Sequence, residues 1–116
     1  MYIIKEDNSI EMVRGDSADF DIYLPIKDEE GQIIGEYTLE EGDVLLFTVK
    51  KNTKTDEVIF QKSGQHVEIL PEDTETLPYG KYVYDVELTY ASGFRDTVIR
   101  PKELKLTDEV TFPHEL

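Results

Sequence analysis

Lys81-Tyr82-Val83-Tyr84-Asp85-Val86-Glu87-Leu88-Thr89-Tyr90 alternates on a period of two residues. In an extended chain Tyr82, Tyr84, Val86, Leu88 and Tyr90 share one face, and Val83, Asp85, Glu87 and Thr89 share the other. A helix would smear the first set around its axis, whereas a strand separates it cleanly. The stretch therefore predicts a strand with one face buried. Two neighbours upstream repeat the pattern. In Ala18-Asp19-Phe20-Asp21-Ile22-Tyr23-Leu24, the apolar Phe20, Ile22 and Leu24 oppose Asp19 and Asp21. In Val44-Leu45-Leu46-Phe47-Thr48-Val49-Lys50, the residues Leu45, Phe47 and Val49 share a side while Leu46 lies on the other, so this strand is expected to be partly covered on both faces.

Shorter runs complete the set. They are 2–4, 10–13, 32–34, 36–39, 58–62, 66–70, 97–100 and 103–106. Turn residues separate them at Arg14-Gly15-Asp16, Glu30-Gly31, Glu41-Gly42-Asp43, Ser63-Gly64, Pro78-Tyr79-Gly80 and Ser92-Gly93. Turns spaced roughly 8–15 residues apart fit an all-β sandwich or barrel. Pro101 cannot donate to a ladder, so it marks an edge or a bulge in the last run. Pro71-Glu72-Asp73-Thr74-Glu75-Thr76-Leu77 carries proline and acids where a helix N-terminus favours them, and is expected to form one short helical turn. No linker or repeat divides the chain. Residues 1–116 read as one domain, with an apolar C-terminal tail from about residue 108 that contains Val110, Thr111, Phe112 and Pro113.

Composition agrees with strands. Val and Ile together number 19 and Thr 10, against 2 Ala, so stiff β-branched side chains are abundant and the best helix former is nearly missing. Charge narrows the partners. Lys and Arg come to 12 and Asp and Glu to 26, a net charge of −14. Such a surface repels nucleic-acid phosphates and anionic membranes, so neither is expected as a partner. Cysteine is absent, which removes disulfides, thiolate metal sites and thiol nucleophiles. No apolar run approaches the roughly 20 residues that cross a bilayer as a helix. Met1-Tyr2-Ile3-Ile4-Lys5-Glu6 is charged too early for a signal peptide.

The segment from Pro71 to Tyr84 resembles the E–F corner of immunoglobulin-like sandwiches. There an acidic turn leads into a strand whose first inward tyrosine fixes the crossing between sheets. The resemblance implies that Gly80 opens the strand and that Tyr82 is the corner tyrosine, its hydroxyl bonding back to backbone near Asp73 or Thr74. Tyr84 then takes the inward position that antibodies fill with cysteine. Wider blocks carry a family resemblance. They are Met12-Val13-Arg14-Gly15-Asp16-Ser17-Ala18-Asp19-Phe20, Gly42 through Lys51, and Ile69 through Thr74 followed by Tyr79 through Leu88. Together these look like the small immunoglobulin-like domains of phages and prophages of Gram-positive bacteria. The N-terminal domain of baseplate upper proteins is the best-known relative. The resemblance implies an immunoglobulin-like antiparallel β-sandwich of about 7–9 strands. It also implies a non-enzymatic part of a tail or baseplate, found in the virion or in the host bacterial cytoplasm before assembly. Larger members continue into helical and receptor-binding regions. This chain ends at Leu116, so a stand-alone virion or assembly component is expected.

No catalytic constellation is legible. Serines 9, 17, 63 and 92 lie outside any Gly-x-Ser-x-Gly elbow, and His66 and His114 read as ordinary rim histidines. Phosphate-binding glycine motifs are absent, so no cofactor is expected. The acid clusters Asp28-Glu29-Glu30, Glu40-Glu41 with Asp43, and Glu72-Asp73 with Glu75 sit at turns and lack Ca²⁺-loop spacing. Asp19 with Asp21, and Asp85 with Glu87, lie on strands and are expected to be solvated rather than metal-binding. Arg14-Gly15-Asp16 reads as a structural turn. What remains is surface. Partners are expected to be other virion or assembly proteins, or a second copy, engaged through an edge strand or a face bearing Tyr23, Tyr79, Tyr90 and Phe94. The same four aromatics would serve the alternative, a carbohydrate-binding or cell-surface adhesion module on the same fold.

Overall fold

The structure, a computed structural model, describes residues 1–108. The expected apolar tail and His114 lie outside the described residues. Ten strands and one helical turn follow in order. They are β1 (Tyr2–Ile4), β2 (Ile10–Val13), β3 (Ala18–Asp21), β4 (Pro25–Lys27), β5 (Ile33–Glu36), β6 (Val44–Lys50), β7 (Phe60–Ser63), β8 (His66–Ile69), α1 (Pro71–Thr74), β9 (Gly80–Thr89) and β10 (Arg95–Thr107).

The main sheet has six strands in the order β1-β2-β10-β9-β6-β7 and is open at both edges. Its pairs are antiparallel except β2 with β10, which run parallel with Ile10 opposite Leu104 and Met12 opposite Leu106. Two smaller sheets, β3-β8 and β4-β5, complete the set. The alternation in β9 is realised as written. Tyr82, Tyr84, Val86 and Leu88 are buried, while Val83, Asp85, Glu87 and Thr89 are half-exposed. Leu45, Phe47 and Val49 of β6 extend the same face on one side of β9, and Leu104 and Leu106 of β10 extend it on the other. Ala18, Ile22, Leu24, Val67 and Ile69 close over it as part of the same core, and Phe20 of β3 meets Phe47 edge-on with ring centroids 5.7 Å apart.

Three local expectations change. The strand expected at 36–39 is one shared end only, because β5 stops at Glu36 and the Tyr37 N–H turns to bond the Leu24 carbonyl at 2.8 Å. An unexpected strand, β4, pairs with β5, which takes the total past the 7–9 anticipated. The two last runs are one strand. Pro101 sits inside β10 where the register with β9 shifts between Ile99 and Lys102, the irregularity that a residue without an N–H requires.

Candidate functional site

The helical turn α1 starts at Pro71, and the Asp73 carboxylate accepts the Leu70 N–H at 2.7 Å while holding the Lys62 ammonium at 2.7 Å. Thr74 is fully buried, and its Oγ1 accepts the Gly15 N–H at 2.9 Å. Arg14 donates through Nη1 to the Leu77 carbonyl at 3.1 Å and lies 4.0 Å over the Tyr79 ring. The Asp16 carboxylate takes the Met1 ammonium. The Arg14-Gly15-Asp16 tripeptide is thus built into the fold, with Gly15 at φ 84° to make the turn.

The Tyr82 hydroxyl does not reach Asp73 or Thr74. It donates to the Pro78 carbonyl at 2.6 Å, and Gly80 turns the chain between them at φ 135°. Main chain at the acidic turn is already engaged, since the Thr74 carbonyl accepts the Leu77 N–H at 2.9 Å, whereas the Pro78 carbonyl lies only four residues before Tyr82. Burial raises the Tyr82 phenol above its ordinary pKa, against the lowering pull of Arg14. Tyr84 points inward as expected. Its ring lies 4.9 Å from that of Phe47, its hydroxyl donates to the Asn8 carbonyl in the β1–β2 turn, and burial, with Asp7 nearby, pushes its pKa up to about 12.

The four candidate surface aromatics do not form one face. Tyr79 precedes β9 and Tyr90 follows it, so a ten-residue strand, about 30 Å, separates them. Tyr79 stacks with Arg14, whereas Tyr90 joins Tyr37 at 5.6 Å and Phe94 at 6.0 Å. Tyr23 lines a separate hollow of about 260 Å³ with Ile4, Val98 and Ile99. A flat sugar-binding platform needs neighbouring rings, and only Tyr90 and Phe94 of the four are neighbours.

The titratable groups are distributed rather than convergent. His66 Nδ1 lies 2.8 Å from Asp21, and its Nε2 lies 3.7 Å from both Asp19 and Glu68. The hydrogen bond to Asp21 and the three carboxylates raise its pKa. Asp43 is a hub that the sequence shows only as part of a turn. It accepts the Tyr37 hydroxyl at 2.6 Å, the Glu40 N–H at 2.9 Å and the Ala91 N–H at 2.9 Å, bonds that lower its pKa, and the first of them leads in pushing the Tyr37 phenol up to about 12. Asp85 is raised by burial first and by Glu87 second, and shares a shallow groove of about 280 Å³ on the outer face with Thr48, Lys50 and Gln61. Among the described residues no group of three or more His, Cys, Asp or Glu could hold a metal ion. No described helix is long and apolar enough to cross a membrane.

No family model matches the chain, and no curated protein is significantly similar to it. Function must therefore be argued from surfaces. Two stand out at opposite ends of β9. One is a cleft of about 550 Å³ walled by Ile59, Leu77, Pro78 and Tyr79, with Lys51 and Lys81 at its rim. The other is the β4–β5 hairpin, which leaves Ile26, Ile33 and Ile34 exposed. The cleft was half visible in the sequence as the corner segment. Of the hairpin, the run 32–34 announces β5, but Pro25-Ile26-Lys27 shows no alternation to announce its partner strand.

Proposed function

We propose that this chain is a non-enzymatic structural and interaction domain of a phage or prophage virion, a tail, baseplate or assembly component built as an immunoglobulin-like sandwich. The observation that carries the sandwich type is the order β2-β10-β9-β6 with β2 parallel to β10. An immunoglobulin-like variable layer has this arrangement, with the β3–β8 pair as the opposing layer. The corner supports it as well: α1, Gly80 and the Tyr82–Pro78 bond reproduce a tyrosine reaching back a few residues to main chain. The virion assignment rests on the resemblance of three blocks, Met12–Phe20, Gly42–Lys51 and Ile69–Thr74 with Tyr79–Leu88, to phage domains, and fold-level likeness alone would not supply it. The role follows from what the surface offers, which is apolar protrusions and clefts with charged rims.

Purified particles from an induced lysogen test the proposal. Peptides of this chain should be found in intact virions by mass spectrometry at fixed stoichiometry to tail proteins. Their absence from virions and from tail-assembly intermediates would overturn it.

A further inference from the structure

The hairpin β4–β5 is an arm. Neither strand hydrogen-bonds to a third, and none of its residues belongs to the core or to the partly buried layer packed on the core. Its tip is a formed turn, in which Asp28 Oδ1 accepts the N–H groups of Glu30 and Gln32, each at 2.9 Å, with Gly31 at φ 82°. Ile26, Ile33 and Ile34 are nevertheless 41%, 56% and 66% exposed. Three exposed isoleucines on an ordered hairpin make a surface that water disfavours. The shape agrees. The molecule measures 53 × 27 × 26 Å with a radius of gyration of 15.7 Å, against about 13 Å expected for a compact chain of this length.

The complement of this arm is on the same molecule, out of its reach. The arm is rooted where Tyr37 packs on Tyr90, beyond the C-terminal end of β9. The cleft opens where Leu77, Pro78 and Tyr79 lead into the N-terminal end of β9. The arm carries one lysine and four acids between Pro25 and Glu36. The cleft reverses that balance. Lys51 and Lys81 line it and Arg14 covers Tyr79 beside it, against the single acid Glu57, in a chain where acids outnumber bases 26 to 12. Its walls, Ile59, Leu77, Pro78 and Tyr79, are apolar as the arm is.

We infer that the acidic, isoleucine-bearing β4–β5 arm of one molecule docks in the lysine-rimmed cleft of a second copy. The inference rests on the assembly role proposed above and names its partner. The contact is heterologous, head to tail, so it propagates into a ring or an open filament rather than a closed dimer. Net charge opposes association of identical copies. At about 0.15 M salt, however, the screening length is about 8 Å, far shorter than the molecule, so distant charges are damped while opposed charges in contact are not. A short arm buries less than the roughly 1,200 Å² of a standard interface, so the contact is weak and fits an array held at high local concentration.

Sedimentation velocity on the full chain tests this, from about 10 μM to about 1 mM in about 0.15 M salt, a range that detects weak association. Wild type should associate with rising concentration. The arm variant Ile33→Asp/Ile34→Asp and the cleft variant Lys51→Glu/Lys81→Glu should each weaken association about tenfold or more. All four positions are exposed, so unchanged circular dichroism and melting temperature are expected for both. Mixed together, the two variants should form a one-to-one dimer and nothing larger, because each keeps one intact surface. A wild type that stays monomeric throughout, a variant that associates as wild type does, or a mixture that stays monomeric would each overturn the inference. Monomers in solution with the chain still present in virions would leave the virion proposal standing. Head-to-tail association with the chain absent from virions would do the reverse.

Discussion

His66 sits among three carboxylates on the exposed face of the β3–β8 pair, and the arrangement fixes the sign of its titration. Its folded pKa is raised above 6.5, so the cationic form is favoured in the fold. The associated stability is present below that unfolded value and disappears as pH rises through the folded one. An NMR titration should place the His66 midpoint above 6.5, and Asp21→Asn should lower it; a wild-type midpoint at or below 6.5 would refute the pairing. Tyr84 gives the opposite end of the pH scale. Its phenol ionises near 10 when unfolded and near 12 when folded, so the unfolded state sheds its proton first and stability falls between those values. Tyr84→Phe should cost about 1 kcal/mol at neutral pH, through the bond lost to Asn8, and should reduce the alkaline fall. Tyr37, also near 12, keeps part of that fall in the variant. Urea titrations at pH 7 and at alkaline pH would measure both effects. Side-chain direction at Tyr84 was legible from alternation. Its hydroxyl partner was not, because Asn8 lies in a distant turn that only the folded chain brings near.

Elements differ in how openly the sequence declares them. β9 and β6 alternate over their whole lengths, so their buried faces could be assigned residue by residue. α1 was signalled by Pro71 and the acids that follow it. β5 is legible as the run 32–34, but β4 is obscured because it has no buried face, and strand periodicity is a record of burial. For the Tyr82 hydroxyl the sequence points to main chain near Asp73 or Thr74, yet the bond runs only four residues back, to Pro78, because the Thr74 carbonyl already accepts the Leu77 N–H. The β5–β6 connection shows a further demand that pattern alone conceals. Gly42 has φ 93°, and a Cβ there would stand 2.9 Å from the Ala91 Cβ. Both the left-handed backbone and the contact with a side chain that cannot swing aside act against substitution. Gly42→Ala should destabilise the protein by about 1–2 kcal/mol by thermal denaturation. It should also speed amide exchange at Ala91, whose N–H is held by Asp43.

For the whole molecule, Phe47 is the point where the layers meet. It is fully buried and its ring contacts those of Phe20, Phe60 and Tyr84, which belong to three other strands. Phe47→Ala should cost about 3–5 kcal/mol in denaturant titrations, a large share of the roughly 5–15 kcal/mol that holds a domain folded. All probes should report the loss at one midpoint, because Phe47 joins β3, β7 and β9, strands far apart in the chain. Sheet order was the least legible property. Alternation tells which side of a strand is dry, and it is silent on which strand lies beside it. The parallel pairing of β2 with β10 is the clearest case, and it sets the order of events at birth. A ribosome adding about 5–20 residues per second needs roughly 5–20 s after Ile10 before Leu104 exists to lie against it. Until then Ile10 and Met12 have only β1 beside them, so the nascent chain waits with that oily strand open along one side until residues 104–106 emerge to cover it.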